Sequence, residues 1–123
     1  MTSEKTLPLR IALVGPCASG KSTLAKMLAD GMFEIRHVAQ DHSFVPDMWR
    51  RVSKPDVLIY LDVNYETIKA RRPITTLRPA DLAEQERRLA HARKHCDLLI
   101  DTSSLTPAEV AAQAMEFLNS LRS

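Results

Sequence analysis

The residues with the clearest chemical potential form the segment GPCASGKS, which runs from Gly15 to Ser22. It matches the pattern GxxxxGK(S/T), in which the backbone N–H groups of a tight loop surround an anion. Gly15 and Gly20 permit backbone angles that other residues resist, so that consecutive N–H groups can point inward. A helix that starts just after such a loop adds the positive end of its dipole. The pattern therefore predicts a phosphate-binding loop of the Walker A type.

Three side chains at the end of the segment extend the prediction from phosphate to a magnesium nucleotide. Lys21 would reach the β- and γ-phosphates, the Ser22 hydroxyl would bind Mg²⁺, and Thr23 would donate to the α-phosphate. Cys17 would lie beside the phosphates, where it contributes its backbone alone or serves in redox chemistry. The predicted nucleotide contacts form one continuous run: Gly15, Pro16, Cys17, Ala18, Ser19, Gly20, Lys21, Ser22 and Thr23.

The apolar pattern on either side supplies the strand and the helix that this loop needs. LRIALV, residues 9–14, is typical of a buried strand. KSTLAKMLADG, residues 21–31, has helical spacing, with Gly31 as its expected end. The expected buried face of that helix comprises Leu24, Met27, Leu28 and Met32. A glycine loop between a buried strand and an amphipathic helix is the context in which this pattern binds nucleotides.

Strands and helices alternate along the rest of the chain. The expected strands are FEIRHVAQ (33–40), DVLIYLDV (56–63) and CDLLID (96–101). The unbroken apolar run of DVLIYLDV favours burial on both faces, and CDLLID is expected to be a second buried strand. The expected helices are a short one that starts near Pro46 and three longer ones at 64–72, 79–95 and 106–121. This alternation predicts an α/β domain with a parallel sheet and helices on both of its faces.

Two of the expected helices have caps in the sequence. Asn64 is the expected N-cap of the helix at 64–72, which Pro73 would end. Thr106 and Glu109 have the spacing of a capping box, with Pro107 at the first helical position. The expected buried stripe of this last helix comprises Val110, Ala114, Phe117, Leu118 and Leu121.

Composition and charge limit the classes of function. The length of 123 residues predicts one domain over residues 1–123. The net charge of +2 argues against a nucleic-acid partner. No run approaches the roughly 18 apolar residues of a membrane span, and MTSEKTLPLR lacks the apolar stretch of a signal peptide. We therefore expect a soluble, cytoplasmic protein without a membrane partner. Cys17 and Cys96 are expected to be reduced thiols.

With these elements the chain resembles the P-loop NTPase superfamily and, within it, the shikimate, deoxynucleoside and thymidylate kinases, in a shortened form. PDVLIYLDVNYETIKARR (55–72) is similar to the strand before their lid, and CDLLIDTSSLTPAEV (96–110) to their last strand and adenine-side loop. The resemblance implies a three-layer α/β/α fold, here with a four-stranded parallel sheet in the order 2-1-3-4. It also implies Mg²⁺ and ATP as ligands. ATP is favoured over GTP because no Asn-Lys-x-Asp motif is present to bind guanine.

Two carboxylates end apolar strands and could act beside the phosphates. Asp41 follows RHVAQ and precedes a loop, which places it at the carboxyl edge of the sheet, where ligands bind. AQDHSFVPDMW (39–49) resembles either the segment after the second strand of these kinases, whose acidic residue acts as a base in deoxynucleoside kinases, or the acidic-Arg-Ser/Tyr signature after their third strand. Asp41 is therefore the preferred Mg²⁺ ligand or general base, with helix capping as the alternative. For Asp62 we favour hydrogen bonding at the strand end.

Basic residues follow the strand that is expected before the lid. The kinase resemblance implies that Arg71 and Arg72 clamp the transferring phosphoryl group, with Arg78 as a third candidate. A guanidinium fork suits this contact better than an ammonium group. The alternative for each of them is an exposed arginine that interacts with a helix end.

Histidines and aromatic residues give weaker candidates. His91 and His95, followed by Cys96, have the spacing of a metal site, although the basic residues between the histidines would repel a cation. His42 could touch a substrate. The final candidates are Phe44 and Trp49, for which packing in the core is favoured over stacking on a base.

Three functions fit the sequence. The leading one is an ATP-dependent kinase that acts on an unidentified small acceptor. The second is a non-catalytic ATP-binding regulatory or interaction module, favoured by the short connection from Asp41 to Asp56. Because this connection is short, we expect the acceptor site of the resembled kinases to be reduced, differently built, or completed by a second copy of the chain in a homodimer. The third is an NTPase or a kinase of nucleic-acid ends. The predicted catalytic residues are Lys21, Asp41, Arg71 and Arg72, and the predicted metal ligands are Ser22 and Asp41.

Overall fold

The protein forms a four-stranded parallel sheet in a computed structural model that describes residues 9–29 and 33–122. The strands are β1 (Leu9–Val14), β2 (Phe33–His37), β3 (Val57–Asp62) and β4 (Leu98–Asp101). They are hydrogen-bonded in the order β2-β1-β3-β4, and each neighbouring pair is parallel. The α/β class and the predicted strand order 2-1-3-4 are therefore confirmed.

Helices connect the strands. They are α1 (Lys21–Leu28), α2 (Met48–Ser53), α3 (Tyr65–Arg71), α4 (Pro79–His95) and α5 (Pro107–Arg122). A 3-10 turn, Gln40–His42, follows β2. In the described part of the chain, no helix has the length and apolar content to cross a membrane.

The sheet is covered on both faces because successive residues of its strands point in opposite directions. On one face, Ile59 and Leu61 of β3 pack against buried apolar residues of α1 and α5. On the other face, Leu58 and Tyr60 pack against α4 and the Trp49 side chain of α2. Two apolar layers, one on each side of a central sheet, thus hold the strands and the loops that follow them.

The predicted caps are confirmed at both helices. Asn64 Oδ1 accepts a hydrogen bond from the Thr67 N–H of α3 at 2.8 Å. At α5, the Thr106 N–H donates to Glu109 Oε1 at 2.8 Å, and the Glu109 N–H donates to Thr106 Oγ1 at 3.1 Å. Both helices therefore begin where the sequence predicts, since these short polar side chains bond the N–H groups of the first turn.

Several predicted boundaries are wrong by a few residues. β2 ends at His37, three residues before the predicted end, because the buried side chain of Gln40 turns the chain. Gln40 Oε1 accepts from the Trp49 N–H at 2.8 Å, and Gln40 Nε2 donates to Val45 O at 2.8 Å. α2 begins at Met48 rather than near Pro46, and β4 begins at Leu98 rather than at residue 96.

Burial differs from the prediction at the sheet edge and on two helices. β4 is an edge strand among the described strands, and Leu99 on it is exposed, so the expectation of a buried strand is wrong there. Met27 and Leu121 are also exposed, because their positions turn away from the sheet that Leu24 and Leu118 contact. The predicted end of α1 at Gly31 and the apolar contact of Met32 lie outside the described residues, and α1 ends at Leu28.

Candidate functional site

A cavity of about 660 Å³ opens at the carboxyl edge of the sheet. The loop between β1 and α1, the end of β2, the end of α3 and the segment after β4 all contribute to it. Most of the residues predicted to act together line this one cavity: Cys17, Ala18, Ser19, Gly20, Lys21, Ser22, Thr23, Asp41, Arg71 and Arg72. Gly15 and Pro16 of the same run lie behind them and contact the cavity lining through Lys21.

The loop Gly15–Gly20, called the glycine loop below, has a backbone that depends on its glycines. A Cβ atom on Gly15 would lie 2.2 Å from Leu61 O of the neighbouring strand, far inside van der Waals contact. Gly20 has φ +99° at the start of α1, and nothing crowds it, so its constraint is the backbone angle itself. Ala18 at the tip also has a positive φ, +60°, which costs energy in a residue with a side chain. The loop is thus tightly curved against β3.

The side chain of Lys21 folds back onto the glycine loop. Its Nζ donates to Gly15 O at 2.5 Å and to Pro16 O at 3.1 Å, and it lies 3.9 Å from Asp41 Oδ1. Burial lowers the pKa of Lys21; the negative charge of Asp41 opposes this effect, and the positive charge of Arg72 reinforces it. The ammonium group is therefore held at the loop by two uncharged carbonyls and one nearby carboxylate.

Asp41 provides a buried carboxylate opposite the glycine loop. It lies in the 3-10 turn after β2, and its side chain is 4% exposed. Oδ2 lies 3.4 Å from Nε2 of His42, and Oδ1 faces Lys21. Within the described residues, its carboxylate accepts no hydrogen bond from a helix N-terminus, so the capping alternative finds no support. The carboxyl edge of β2 thus carries a charge that faces the cavity.

Asp62 lies away from the cavity. Its Oδ1 accepts from the Val63 N–H at 3.0 Å, and its Oδ2 pairs with Arg93 Nη1 at 3.0 Å. This is the strand-end hydrogen bonding that the sequence favoured for it. Of the two predicted carboxylates, Asp41 is the one that the structure brings to the glycine loop.

The three candidate arginines have different surroundings. Arg71 Nη1 donates to Ala18 O at 2.7 Å, and Arg71 Nη2 donates to Thr102 O at 2.6 Å. Arg72 lines the cavity, and its guanidinium makes no hydrogen bond or ion pair with any residue that the structure describes. Arg78 forms a two-point contact with Asp81 at the start of α4 and does not line the cavity. The structure thus brings Arg71 and Arg72 to the site and leaves Arg78 outside it.

Of the histidine and aromatic candidates, His42 lines the cavity and the others do not. His91 Nδ1 accepts from Trp49 Nε1 at 3.2 Å, and residues 9–29 and 33–122 contain no group of three His, Cys, Asp or Glu side chains placed to hold a metal ion. Trp49 packs in the core as expected. Phe44 does not pack in the core: its side chain is 80% exposed. The guanidinium carbon of Arg88 lies 4.3 Å from the centre of the Phe44 ring, so the ring contacts Arg88 rather than the core.

Two polar residues for which the sequence predicted no role also reach the site. Gln85 of α4 is buried, and its Oε1 accepts a hydrogen bond from the Cys17 N–H at 2.9 Å. Thr102 lines the cavity and donates to Asp62 O at 2.9 Å. Gln85 had a signal in the sequence: it interrupts the apolar spacing of Leu82 and Leu89, and a polar residue on a buried stripe needs a partner.

No protein-family model matches the chain, and no curated protein is similar to it. What the cavity binds must therefore be inferred from its own residues. Its lining includes the cationic side chains of Lys21, Arg71 and Arg72, and one carboxylate, that of Asp41. This balance suits an anionic ligand that carries a metal ion.

Proposed function

We propose that the protein is a P-loop protein that binds Mg²⁺–ATP in this cavity and transfers the γ-phosphoryl group to a small acceptor. The observation that carries the proposal is the pair Lys21–Asp41, which brings an ammonium and a buried carboxylate to 3.9 Å at the mouth of the glycine loop. A triphosphate needs positive charge at its phosphates, and its magnesium ion needs a hard oxygen ligand nearby.

The phosphates would occupy the concave side of the glycine loop. Backbone N–H groups there and the N-terminus of α1 supply positive partial charge. Lys21 Nζ is bonded to the carbonyls of Gly15 and Pro16, and phosphate oxygens would replace these neutral acceptors with charged ones. Binding would therefore strengthen the hydrogen bonds of Lys21.

The oxygen donors at the cavity fit Mg²⁺. Ser22 lines the cavity at the start of α1, and the buried carboxylate of Asp41 faces it from the end of β2. These two residues would hold the ion directly or through water, since Mg²⁺ prefers carboxylate and hydroxyl oxygens and keeps several waters. The ion would neutralise charge on the phosphates when it is bound.

For the transfer step, the acceptor hydroxyl oxygen would bond to the γ-phosphorus while the bond from that phosphorus to the ADP oxygen breaks, and Arg72 would contact the phosphoryl group. Asp41, when it holds the ion through water, would have an oxygen free to accept the proton of that hydroxyl. Arg72 is suited to this role because its guanidinium lines the cavity without a described partner. The apolar part of the lining, formed by Leu105, Pro107 and Val110, would accommodate the base. ATP remains favoured over GTP from the sequence resemblance alone.

Calorimetric titration of the intact protein with ATP, in the presence and absence of Mg²⁺, tests the binding. We expect Mg²⁺ to strengthen ATP binding about tenfold or more in the wild type, and much less in the Asp41→Asn variant. Asp62→Asn is the matched control, because Asp62 lies outside the cavity, and it should keep the magnesium effect. A folded wild type that binds no ATP would contradict the proposal.

A non-catalytic ATP-binding module is the second candidate. One observation favours it: α2, a helix of six residues, is the single α-helix between Asp41 and β3, which leaves little chain to build an acceptor site. Measurement of ADP release with a panel of nucleosides and small hydroxy acids separates the two candidates. Acceptor-dependent ADP release indicates a kinase, whereas binding without turnover indicates the module.

A further inference from the structure

The tip of the glycine loop, Cys17–Ala18, is held by two side chains from outside the loop. Gln85 of α4 accepts a hydrogen bond from the Cys17 N–H at 2.9 Å. Arg71, the last residue of α3, donates to Ala18 O at 2.7 Å. The bond from Gln85 holds the N–H group of Cys17, and the bond from Arg71 holds the carbonyl of Ala18. Side chains outside the loop therefore fix the orientation of the peptide units that precede Cys17 and follow Ala18.

Gln85 has the environment of a residue placed for this contact. It is 8% exposed and lies on the buried side of α4, between Leu82 and Leu89. A buried amide without a hydrogen bond is costly, and a leucine at this position would extend the apolar stripe without that cost. The Cys17 N–H satisfies the amide oxygen. The glutamine therefore contributes a specific bond to the loop.

Arg71 connects the tip to the end of the sheet. Its guanidinium donates to Thr102 O at 2.6 Å and to Thr102 Oγ1 at 3.3 Å, in addition to Ala18 O. Thr102 is buried and is itself bonded to Asp62 O at the end of β3. The planar guanidinium places two nitrogens at these acceptors, whereas a lysine side chain has a single nitrogen. The loop is thus fastened to the carboxyl ends of β3 and β4.

We propose that Gln85 and Arg71 are positioning residues that keep the tip of the glycine loop in the shape that receives phosphates. Arg71 is committed to the loop, so Arg72 is the arginine that faces the ligand. This inference rests on the proposed function for its consequence, the affinity for Mg²⁺–ATP. The bonds themselves can be tested without a nucleotide.

The physical consequence is preorganisation. Ala18 holds a positive φ of +60°, a conformation that a loose loop would leave. If either outside bond is removed, the tip gains freedom that nucleotide binding must remove again, and the affinity falls. One lost hydrogen bond of ordinary strength corresponds to an affinity loss of about 3- to 10-fold.

Amide hydrogen exchange of Cys17, measured by NMR on the full-length protein, tests the contact of Gln85. Gln85→Met keeps the side-chain volume and removes the acceptor, so we expect Cys17 to exchange about tenfold faster. Gln85→Glu keeps an oxygen at the same position and should preserve the slow exchange. The control Gln113→Met changes an exposed glutamine of α5, and the amide of Val38, bonded to Leu13 O, reports global stability.

Calorimetry with Mg²⁺–ATP on the same proteins tests the consequence. We expect Gln85→Met and Arg71→Lys each to raise Kd about 3- to 10-fold, while Gln113→Met leaves it unchanged. Arg72→Lys separates the two arginines. It should leave the exchange of Cys17 at the wild-type rate, whereas Arg71→Lys should accelerate the exchange of the loop amides.

Hydrogen exchange and calorimetry together distinguish the possible outcomes. Faster Cys17 exchange together with a raised Kd in Gln85→Met supports the inference. Unchanged exchange overturns it, and so does faster exchange with an unchanged Kd, because the bond would then not serve nucleotide binding. If the wild type binds no Mg²⁺–ATP, the proposed function fails, and the exchange of Cys17 alone still decides whether Gln85 holds the loop.

Discussion

At the scale of single residues, the site is defined by the hydrogen bonds of Lys21. Its Nζ bonds the carbonyls of Gly15 and Pro16 at 2.5 and 3.1 Å, whereas Asp41 Oδ1 lies 3.9 Å away. A direct bond to Asp41 would neutralise both charges. The observed geometry keeps the ammonium on neutral acceptors that an anion can replace and leaves the carboxylate available to a metal ion.

The two glycines of the loop are expected to differ in the cost of a methyl group. Gly15→Ala places Cβ against Leu61 O, a backbone atom that cannot move aside, and should lower the free energy of unfolding by about 2–4 kcal/mol. Gly20→Ala meets no neighbour and should cost about 1–2 kcal/mol through its backbone angle. Urea unfolding measures both, and equal costs would contradict this view of the loop.

Tyr60 makes the stability of the fold sensitive to alkaline pH. Burial, with a further contribution from Asp62, raises the pKa of Tyr60 from 10.0 to about 12. Between these two pKa values the folded state keeps the phenol proton that the unfolded state loses. The contribution of the neutral phenol to the free energy of unfolding is therefore complete below about pH 10 and decreases as the pH rises towards 12. With allowance for solvent screening, about 1 kcal/mol should be lost by about pH 11.

The matched variant for this pH effect is Tyr60→Phe. The free energy of unfolding is measured with urea at about pH 9 and about pH 11 for both proteins. Between these two pH values it should decrease by about 1 kcal/mol less in Tyr60→Phe than in the wild type. Other titrating groups, Lys21 among them, act on both proteins and cancel in the difference. A fall of the same size in both proteins would show that Tyr60 does not titrate differently in the folded state.

At the scale of elements, the sequence predicts what local rules decide. β1, β3, α4 and the caps of α3 and α5 lie where periodicity and capping residues indicate. The sequence does not predict the features that depend on contacts between residues far apart in the chain. The end of β2 depends on Gln40, whose amide reaches Trp49, and the exposure of Phe44 depends on Arg88 of α4. No local pattern contains these partners, because they are separated along the chain and meet when the helices pack.

The start of α3 carries a prediction of this scale. Asn64→Ala removes the acceptor of the Thr67 N–H and should lower the free energy of unfolding by about 1 kcal/mol. Asn64→Asp keeps an oxygen acceptor and should leave the stability near that of the wild type. Denaturant unfolding of the three proteins provides the comparison, and a full loss of stability in Asn64→Asp would argue against the cap.

At the scale of the whole molecule, the position of the site follows from the strand order. β1 lies between β2 and β3 in the sheet. The helix that follows β1, α1, packs on one face of the sheet, and α4 packs on the other face. Parallel sheets bind ligands at the carboxyl edge where the connections diverge in this way. The glycine loop lies at that point and presses against Leu61 of β3.

The same scale explains which site residues the sequence could predict. Those of the glycine loop, such as Lys21, form one continuous run, so a motif finds them. Asp41 follows a strand, so its edge position can be inferred. Gln85 and Thr102 join the site only because α4 and β4 fold back against the loop. The separate tasks of Arg71 and Arg72 likewise depend on which of the two reaches Ala18, and adjacent positions in the sequence do not reveal that.

We propose that the cavity binds Mg²⁺–ATP through the glycine loop, and the Lys21→Ala variant tests this binding most directly. Lys26→Ala is the matched control, since Lys26 is an exposed lysine of the same helix. In calorimetric titrations with Mg²⁺–ATP, we expect Lys21→Ala to weaken binding about 10- to 100-fold and Lys26→Ala to leave it unchanged. Equal affinities for the folded wild type and Lys21→Ala would contradict the claim.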